Sequence, residues 1–364
     1  MKYECDIILL SYESPELLKK CVESVLDNTA VPSRLIIIDN DSKDPEVKKY
    51  ISEVCGRGKV EIEKVFSEEN SGFAGGINKG LKLSTAPYVC ILNNDCEVYK
   101  GWLKEMIEVA SRNKKIGLVN PQSNTFGCCD YASVKDKSGK FVELGHAIGF
   151  ACLIKKEVLD GIGMLDEAYE GVCYEDTDFS CRAQKAGFIS VMAEGAYVYH
   201  KEQASRASLK GKNEIYRKNR ELFESRWGKL ARVLFIEKAG TDDRIIEGYN
   251  KLKDIARRRA IIDVWIEERS REDIEELLKE KGVIRHADIG FKLFTKKINA
   301  LKIIGKILTK KKRYSALITP DISLFKILSL FSGLWETKVF LLRDDKYLIS
   351  TRGAVEKIED AVLS

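Results

Sequence analysis

Short, unbroken apolar runs alternate with amphipathic segments along the start of the chain. Asp6-Ile7-Ile8-Leu9-Leu10, Arg34-Leu35-Ile36-Ile37-Ile38 and Tyr88-Val89-Cys90-Ile91-Leu92 each read as a strand buried on both faces. Between the first two, Ser14-Pro15 predicts a helix start, with Ser as N-cap and Pro at the first helical position. Leu18, Val22, Val25 and Leu26 form its apolar face. A second helix begins at Asp44 or Pro45 and runs through Val47 and Ile51. Val60-Glu61-Ile62-Glu63-Lys64-Val65 alternates like a strand with one wet face, and a glycine-rich turn and helix occupy Gly72 to Leu83. Buried strands interleaved with helices predict an α/β fold, with a mostly parallel mixed sheet covered by helices on both faces.

The same texture continues with a helix from Gly101 to Arg112 and a strand at Gly117 to Pro121. Residues 122–147 are polar and loop-rich, with hairpin signals at Asp136-Lys137-Ser138-Gly139. Phe150 to Ile154 is a further apolar strand, followed by a helix over 156–161. Asp176 to Ala186 reads as a helix stopped by Gly187, and Ile189 to Ala193 and Tyr197 to His200 as closing strands. After about residue 238 the pattern becomes strongly charged and helical, with Ile245, Tyr249, Leu252 and Ile255 at helical spacing. A boundary near Ala239-Gly240 divides the chain into residues 1–238 and a mainly helical α+β appendage, 239–364. That appendage closes with an apolar helix from Ile322 to Leu334. Two strands follow, Val339 to Leu342 and Tyr347 to Ser350, about the turn Arg343-Asp344-Asp345-Lys346.

Composition narrows the class. With 44% hydrophobic and 32% charged residues, the 364-residue chain can bury sizeable cores. A net charge of +5 over that length gives no case for nucleic acid. The ten cysteines form no C-x-x-C pair, and Cys5, Cys21, Cys90 and Cys152 lie in apolar runs, which favours free buried thiols over disulfides or zinc. Glu4 and Asp6 interrupt any leader-like start, and no window approaches the roughly 18 apolar residues that cross a bilayer. The expectation is a cytoplasmic protein. From Phe291 to Arg313 nine Lys/Arg occur without Asp or Glu, and Phe291, Phe294, Ile298, Leu301, Ile304 and Leu308 share a helical face. Residues 291–313 could therefore lie on the inner face of an anionic membrane, or pack as an ordinary helix with a solvated basic side.

Candidate chemistry gathers where the strands end. In parallel sheets of this kind, ligands sit at the carboxyl ends of the strands. Those ends carry Ser11-Tyr12-Glu13, Asp39-Asn40-Asp41 and Asn93-Asn94-Asp95. Asp39-Asn40-Asp41 can accept from a nucleobase or ribose, or simply cap the next helix as an Asx-turn. Gly72, Phe73, Ala74 and Asn78 belong to a loop whose glycines permit close approach of a ligand to a helix start, or merely a tight turn. Asn93-Asn94-Asp95 delivers one carboxylate to a polar turn, which suits Mg²⁺ or Mn²⁺ holding substrate phosphates. Glu175, Asp176 and Asp178 crowd a helix start, more acid than a helix dipole needs and a setting for a general base. His200, one of three histidines, ends the last strand of the region.

The ordered set SYE, IDN-x-S, N-x-GFAGG-x-N-x-G, LNND, GFACLI and EDTDFSCRAQKAGF resembles the family 2 inverting glycosyltransferases of the GT-A fold. Within them it looks like the rhamnosyltransferase-like branch of polysaccharide and cell-wall assembly. The resemblance covers Asp6 to Trp227, including Tyr216-x-x-Asn219 and Arg226-Trp227-Gly228. It implies that Tyr12 borders the base of a nucleotide-diphosphate sugar, and that Asp39 and Asn40 contact base and ribose. It implies a metal on Asp95, completed by His200, and Asp176 as catalytic base beside Glu175. Asn93 and Asn94 stand where the family usually carries a further acid, so the metal is conditional. The expected acceptor is a hydroxyl on a glycan, a lipid-linked carrier or a protein. Residues 239–364 are expected to supply an acceptor, membrane-surface or homodimer contact. The competing classes are a nucleotide-binding scaffold without catalysis and a nucleotidyltransferase, and the latter lacks its basic glycine-rich signature at Leu9 to Ser14.

Overall fold

A computed structural model describes residues 2–364 except 128–129, 172, 202–211, 238–240, 268, 293–302, 306–313, 332–336, 344–346, 351–354 and 358–364. The chain forms two compact units, Met1–Trp227 and Gly228–Ser364.

The first unit follows the predicted alternation. In chain order it contains β1 (Cys5–Ser11), α1 (Pro15–Asn28), β2 (Ser33–Asp39), α2 (Pro45–Glu53), β3 (Val60–Phe66), α3 (Gly72–Leu83), β4 (Tyr88–Asn93) and β5 (Cys96–Val98). Then come α4 (Trp102–Ser111), β6 (Ile116–Gln122), β7 (Phe141–Leu144), β8 (Ala151–Lys155), α5 (Lys156–Ile162), α6 (Glu175–Lys185), β9 (Ile189–His200) and α7 (Lys212–Trp227). The strands make one mixed sheet in the order β3-β2-β1-β4-β8-β6-β9-β5, with β7 also on β9. The strands from β3 to β4 are parallel, and β8 runs against both β4 and β6.

Alternate residues of β1 serve two cores. Ile7 and Leu9 pack with Leu18, Val22 and Trp102 on one face, and Ile8 packs with Ile36, Ile38, Ile77 and Phe179 on the other. This explains why the run carries no polar alternation. The exception is Asp6, fully buried in the strand. It accepts from Arg34 Nε (2.9 Å) and from the amides of Thr85 (2.7 Å) and Ala86 (2.9 Å), which fixes the entry into β4. Asp44 caps α2 through the amide of Glu46. Ser14 is left-handed at φ 58° and makes no side-chain cap, so Pro15 alone marks the start of α1 as expected. The two closing strands expected at Ile189–Ala193 and Tyr197–His200 are one strand, β9, whose pairing with β6 slips after Pro121.

The glycines of α3 have a packing role. A Cβ at Gly80 would lie 2.5 Å from Ile8 Cγ2 and 2.9 Å from Ile38 Cδ1, and one at Gly76 would strike the Leu10 side chain. Four residues apart, they form the face on which α3 settles against the sheet. Only Gly72, at φ +70°, needs the left-handed backbone glycine allows.

The second unit departs from expectation. It contains β10 (Ala231–Glu237), α8 (Asp242–Arg257), β11 (Ala260–Ile266), α9 (Arg271–Glu280), β12 (Ile289–Phe291), β13 (Ala316–Thr319), α10 (Ile322–Leu330), β14 (Lys338–Arg343), β15 (Tyr347–Ser350) and β16 (Val355–Lys357). These strands form a seven-stranded sheet, β12-β11-β10-β13-β14-β15-β16, not a mainly helical appendage. β12 through β14 are parallel neighbours, and the β14–β15 hairpin is antiparallel as expected. The boundary also falls earlier than 238/239, because Val233-Leu234-Phe235-Ile236 in β10 begins the second core. The charged exposed faces of α8 and α9 conceal β11 between them. The basic helix expected over 291–313 falls mostly on residues outside those described. Among the described residues, no helix is long and apolar enough to cross a membrane.

Candidate active site

Register brings the polar strand ends of the first unit into one row. Ser11 pairs with Asp39 and Asp39 with Phe66, while Leu10 lies beside Asn93, so Asn94 and Asp95 project past the same edge. Because β8 is antiparallel to β4, its start reaches that edge too, and the amide of Asn93 donates to Phe150 O (2.9 Å). β5 pairs with β9 so that Cys96 faces His200, which sets His200 beside Asp95.

Asp95 and His200, expected to share a metal, lie side by side. His200 Nε2 stands 3.3 Å from Asp95 Oδ1, with side chains 13% and 6% exposed. No described residue hydrogen-bonds to Asp95 Oδ1 or to Asn93 Oδ1, although both atoms are buried. A buried carboxylate oxygen without a donor, 3.3 Å from an imidazole nitrogen, fits a divalent cation. Ligand atoms of Asp95, Cys96 and His200 all lie within 4.8 Å of one another. Burial pushes the Cys96 thiol well up, and a neutral thiol is a poor ligand for Mg²⁺ or Mn²⁺, which leaves Asp95 and His200 as the candidate ligands. The imidazole stacks on Phe150 (centroids 4.9 Å apart, planes at 12°), and Asn124 holds the His200 backbone through two hydrogen bonds, 2.8 and 2.9 Å. Neither Phe150 nor Asn124 carries a signal in the sequence that would single it out for this.

Asp176 reaches the same edge from α6. Cys173 and Tyr174 adopt φ 94° and 76° before the helix, backbone that non-glycine residues rarely take. This turn delivers Glu175, buried, and Asp176, half-buried. Asp176 Oδ2 accepts from Gly149 N (2.9 Å), and Oδ1 accepts from Thr177 N (2.6 Å) and Thr177 Oγ1 (3.1 Å). Phe73, Ile148, Gly149, Glu175 and Asp176 line a pocket floored by Leu165 and Phe179. The third acid is structural: Asp178 accepts from Arg182 Nε (2.8 Å), Trp227 Nε1 (2.8 Å) and Tyr169 OH (3.3 Å).

The residues expected on the nucleotide side divide in two. Tyr12 is 46% exposed and free to stack, and the buried Ser11 Oγ and Asp39 Oδ2 have no hydrogen-bond partner among the described residues. The others are committed within the protein. Asn40 donates to Asn70 Oδ1 and Gly72 O and accepts from Ser71. Glu13 accepts from the amides of Lys43 and Asp44, Asp41 pairs with Lys43, and Ala74 is buried. Asn78 binds Leu165 and Glu167, stapling α3 to the 165–167 segment. Asparagines at Asn40 and Asn78 thus shape the loop rather than present free polar atoms.

Residues 6–162 match the model of glycosyl transferase family 2. The chain is similar to an uncharacterized protein, y4gI, of Sinorhizobium fredii, 25% identical over 248 residues, 61% of this chain and 27% of that one. It is also similar to a putative teichuronic acid biosynthesis glycosyltransferase, TuaG, of Bacillus subtilis, 22% identical over 198 residues, 53% of this chain and 73% of the other. Among solved structures it is similar to the mannosyltransferase PcManGT from Pyrobaculum calidifontis in complex with GDP-Man and Mn²⁺. There the identity is 14% and the TM-score 0.46, over 60% of this chain and 61% of the other.

Proposed function

We propose that the first unit is an inverting glycosyltransferase, moving a sugar from a nucleotide-diphosphate donor to a hydroxyl acceptor. One observation carries this reading. Gly149 donates to Asp176, and its neighbour Phe150 stacks on His200 and accepts from Asn93. A two-residue segment therefore joins the candidate base to the candidate metal pair at the carboxyl edge of the sheet.

Asp176 takes the proton of the acceptor hydroxyl as its oxygen bonds to the anomeric carbon and the bond from that carbon to the diphosphate breaks. Hydrogen bonds from Gly149 and Thr177 aim the carboxylate. Asp95 and His200 would hold Mg²⁺ or Mn²⁺. Bound there, the ion would supply positive charge against the diphosphate. Tyr12 offers a stacking face to the base, and Ser11 and Asp39 offer unspent oxygens to it or to the ribose. The family match and the name of the TuaG relative support a glycan or lipid-linked acceptor in polysaccharide or cell-wall assembly.

The test is incubation of the full chain with a panel of nucleotide sugars and Mn²⁺, reading released nucleoside diphosphate. Turnover is expected in the wild type and not in Asp176→Asn, which keeps nucleotide binding. Equal turnover in the variant removes Asp176 from its role, and no turnover with any donor removes the transferase reading.

A further inference from the structure

The second unit carries a polar cluster that sugar transfer in the first does not use. From β10 the chain winds outward through α8, β11, α9 and β12, and the other half of the sheet starts at β13 and leads through α10 to β14. β10 and β13 are adjacent and parallel. The helices that follow them lie on opposite faces. Ile245, Tyr249 and Leu252 of α8 pack with Phe235, while Leu324 and Leu328 of α10 pack with Leu234 and Ile236. Where winding reverses in this way, α/β sheets characteristically bind ligands at the carboxyl ends of the two central strands.

Here those strand ends are polar. Glu237 ends β10, Thr319 ends β13, Asp321 caps α10, and Arg244 lies in the first turn of α8. Glu237 is 4% exposed, and its Oε1 accepts no hydrogen bond from a described residue. Its ion-pair partner among the described residues is Arg244, whose Nη2 lies 3.1 Å from that same Oε1 without hydrogen-bond alignment and whose side chain is 51% exposed. Thr319 is fully buried and accepts from the amide of Asp321. After the apolar run Val233 to Ile236, an apolar side chain would stabilise the strand end better than a buried acid does. Burial pushes the Glu237 carboxyl up to about 7, with Arg244 opposing and Asp321 adding to the rise.

The set selects its ligand. Glu237 is an acceptor in want of a donor hydrogen. Arg244 already balances its charge, which disfavours a second cation, and Asp321 repels an anion. We propose that the carboxyl edge between β10 and β13 binds a neutral ring bearing vicinal hydroxyls, a ribose or a free sugar, whose hydroxyls donate to Glu237 and accept from Arg244.

The full chain is titrated calorimetrically with ribonucleosides, their 2′,3′-dideoxy counterparts, free hexoses and Mn²⁺ alone. A ribonucleoside or a hexose is expected to bind, and which of the two arms responds identifies the source. Glu237→Gln should weaken that binding at least about tenfold while melting no lower than wild type, as removal of a hydrogen bond to a charged group predicts. The half-exposed Arg244→Gln should do the same and serves if Glu237→Gln fails to fold. Asp95→Asn should leave this binding unchanged, which separates it from the nucleotide site of the first unit. Equal affinity in wild type and both variants, no binding by any ring in the panel, or Mn²⁺ binding that Glu237→Gln abolishes would each overturn the proposal.

Discussion

Replacing Gly80 with alanine tests whether the glycine-rich helix is built for packing. The added methyl carbon would lie 2.5 Å from Ile8 Cγ2 and 2.9 Å from Ile38 Cδ1, against about 3.5–4.0 Å for carbons in contact. Both isoleucines are fully buried in strands, and their branched side chains are stiff about χ1. Ile8 Cγ2 is fixed by χ1 and cannot swing aside, and Ile38 Cδ1 can turn about χ2 only within a packed core, so α3 must lift by about an ångström. Overpacking of this kind costs roughly 1–3 kcal/mol, and two stiff neighbours place it near the upper end. Alanine returns about 1 kcal/mol as a better helix former. The net expectation is a loss of about 2 kcal/mol. Gly161 in α5 is the comparison, since a Cβ there meets nothing within 4 Å. Gly161→Ala should gain about 0.5–1 kcal/mol. Urea denaturation followed by circular dichroism reads both shifts on the transition of the first unit. If Gly80→Ala is as stable as wild type, or both variants shift in the same direction, the helix–sheet contact is not why glycine stands there.

Asp176→Asn should lower transfer by about 10²–10⁴-fold, the usual range for a lost general base, with nucleoside diphosphate affinity kept in a calorimetric titration. Chelation should stop transfer, and Mn²⁺ should raise the melting temperature of wild type but not of His200→Ala; an identical rise in both removes His200 as a ligand. Asp6→Ala should destabilise the first unit by about 3–5 kcal/mol in urea, because Arg34 loses its buried partner. Glu237 gives a pH dependence. Its carboxyl is raised from an ordinary 4.5 to about 7, so the folded state favours the protonated form. Its contribution is complete below pH 4.5 and is lost as pH rises through 7, about 3 kcal/mol over that window. The difference in melting temperature between wild type and Glu237→Gln should change across pH 4.5–7, and a flat difference refutes the assignment.

The sequence made the first sheet legible because β1, β2 and β4 are apolar on both faces, a pattern few other elements share. Their ends then located Ser11, Asp39 and Asn93 without further information. The pairing of β5 with β9 was not legible. Three residues, Cys96 to Val98, show no period, and their partner lies about a hundred positions away, yet this pairing is what carries His200 to Asp95. The second sheet was hidden for a related reason. β12 and β13 have three and four residues, too short to show periodicity, and the charged faces of α8 and α9 dominate the intervening sequence. Polar residues were the hardest to assign. Asn40 and Asn78 look like ligand contacts in the sequence, but their amides are consumed by the backbone and side chains of neighbouring loops.

The Gly149–Phe150 segment acts as a caliper. One jaw is the hydrogen bond to Asp176 and the other is the ring under His200. The hydrogen bond and the ring stack are thus made by adjacent residues of one short segment. Two adjacent peptide units thereby link Asp176 to the Asp95–His200 pair.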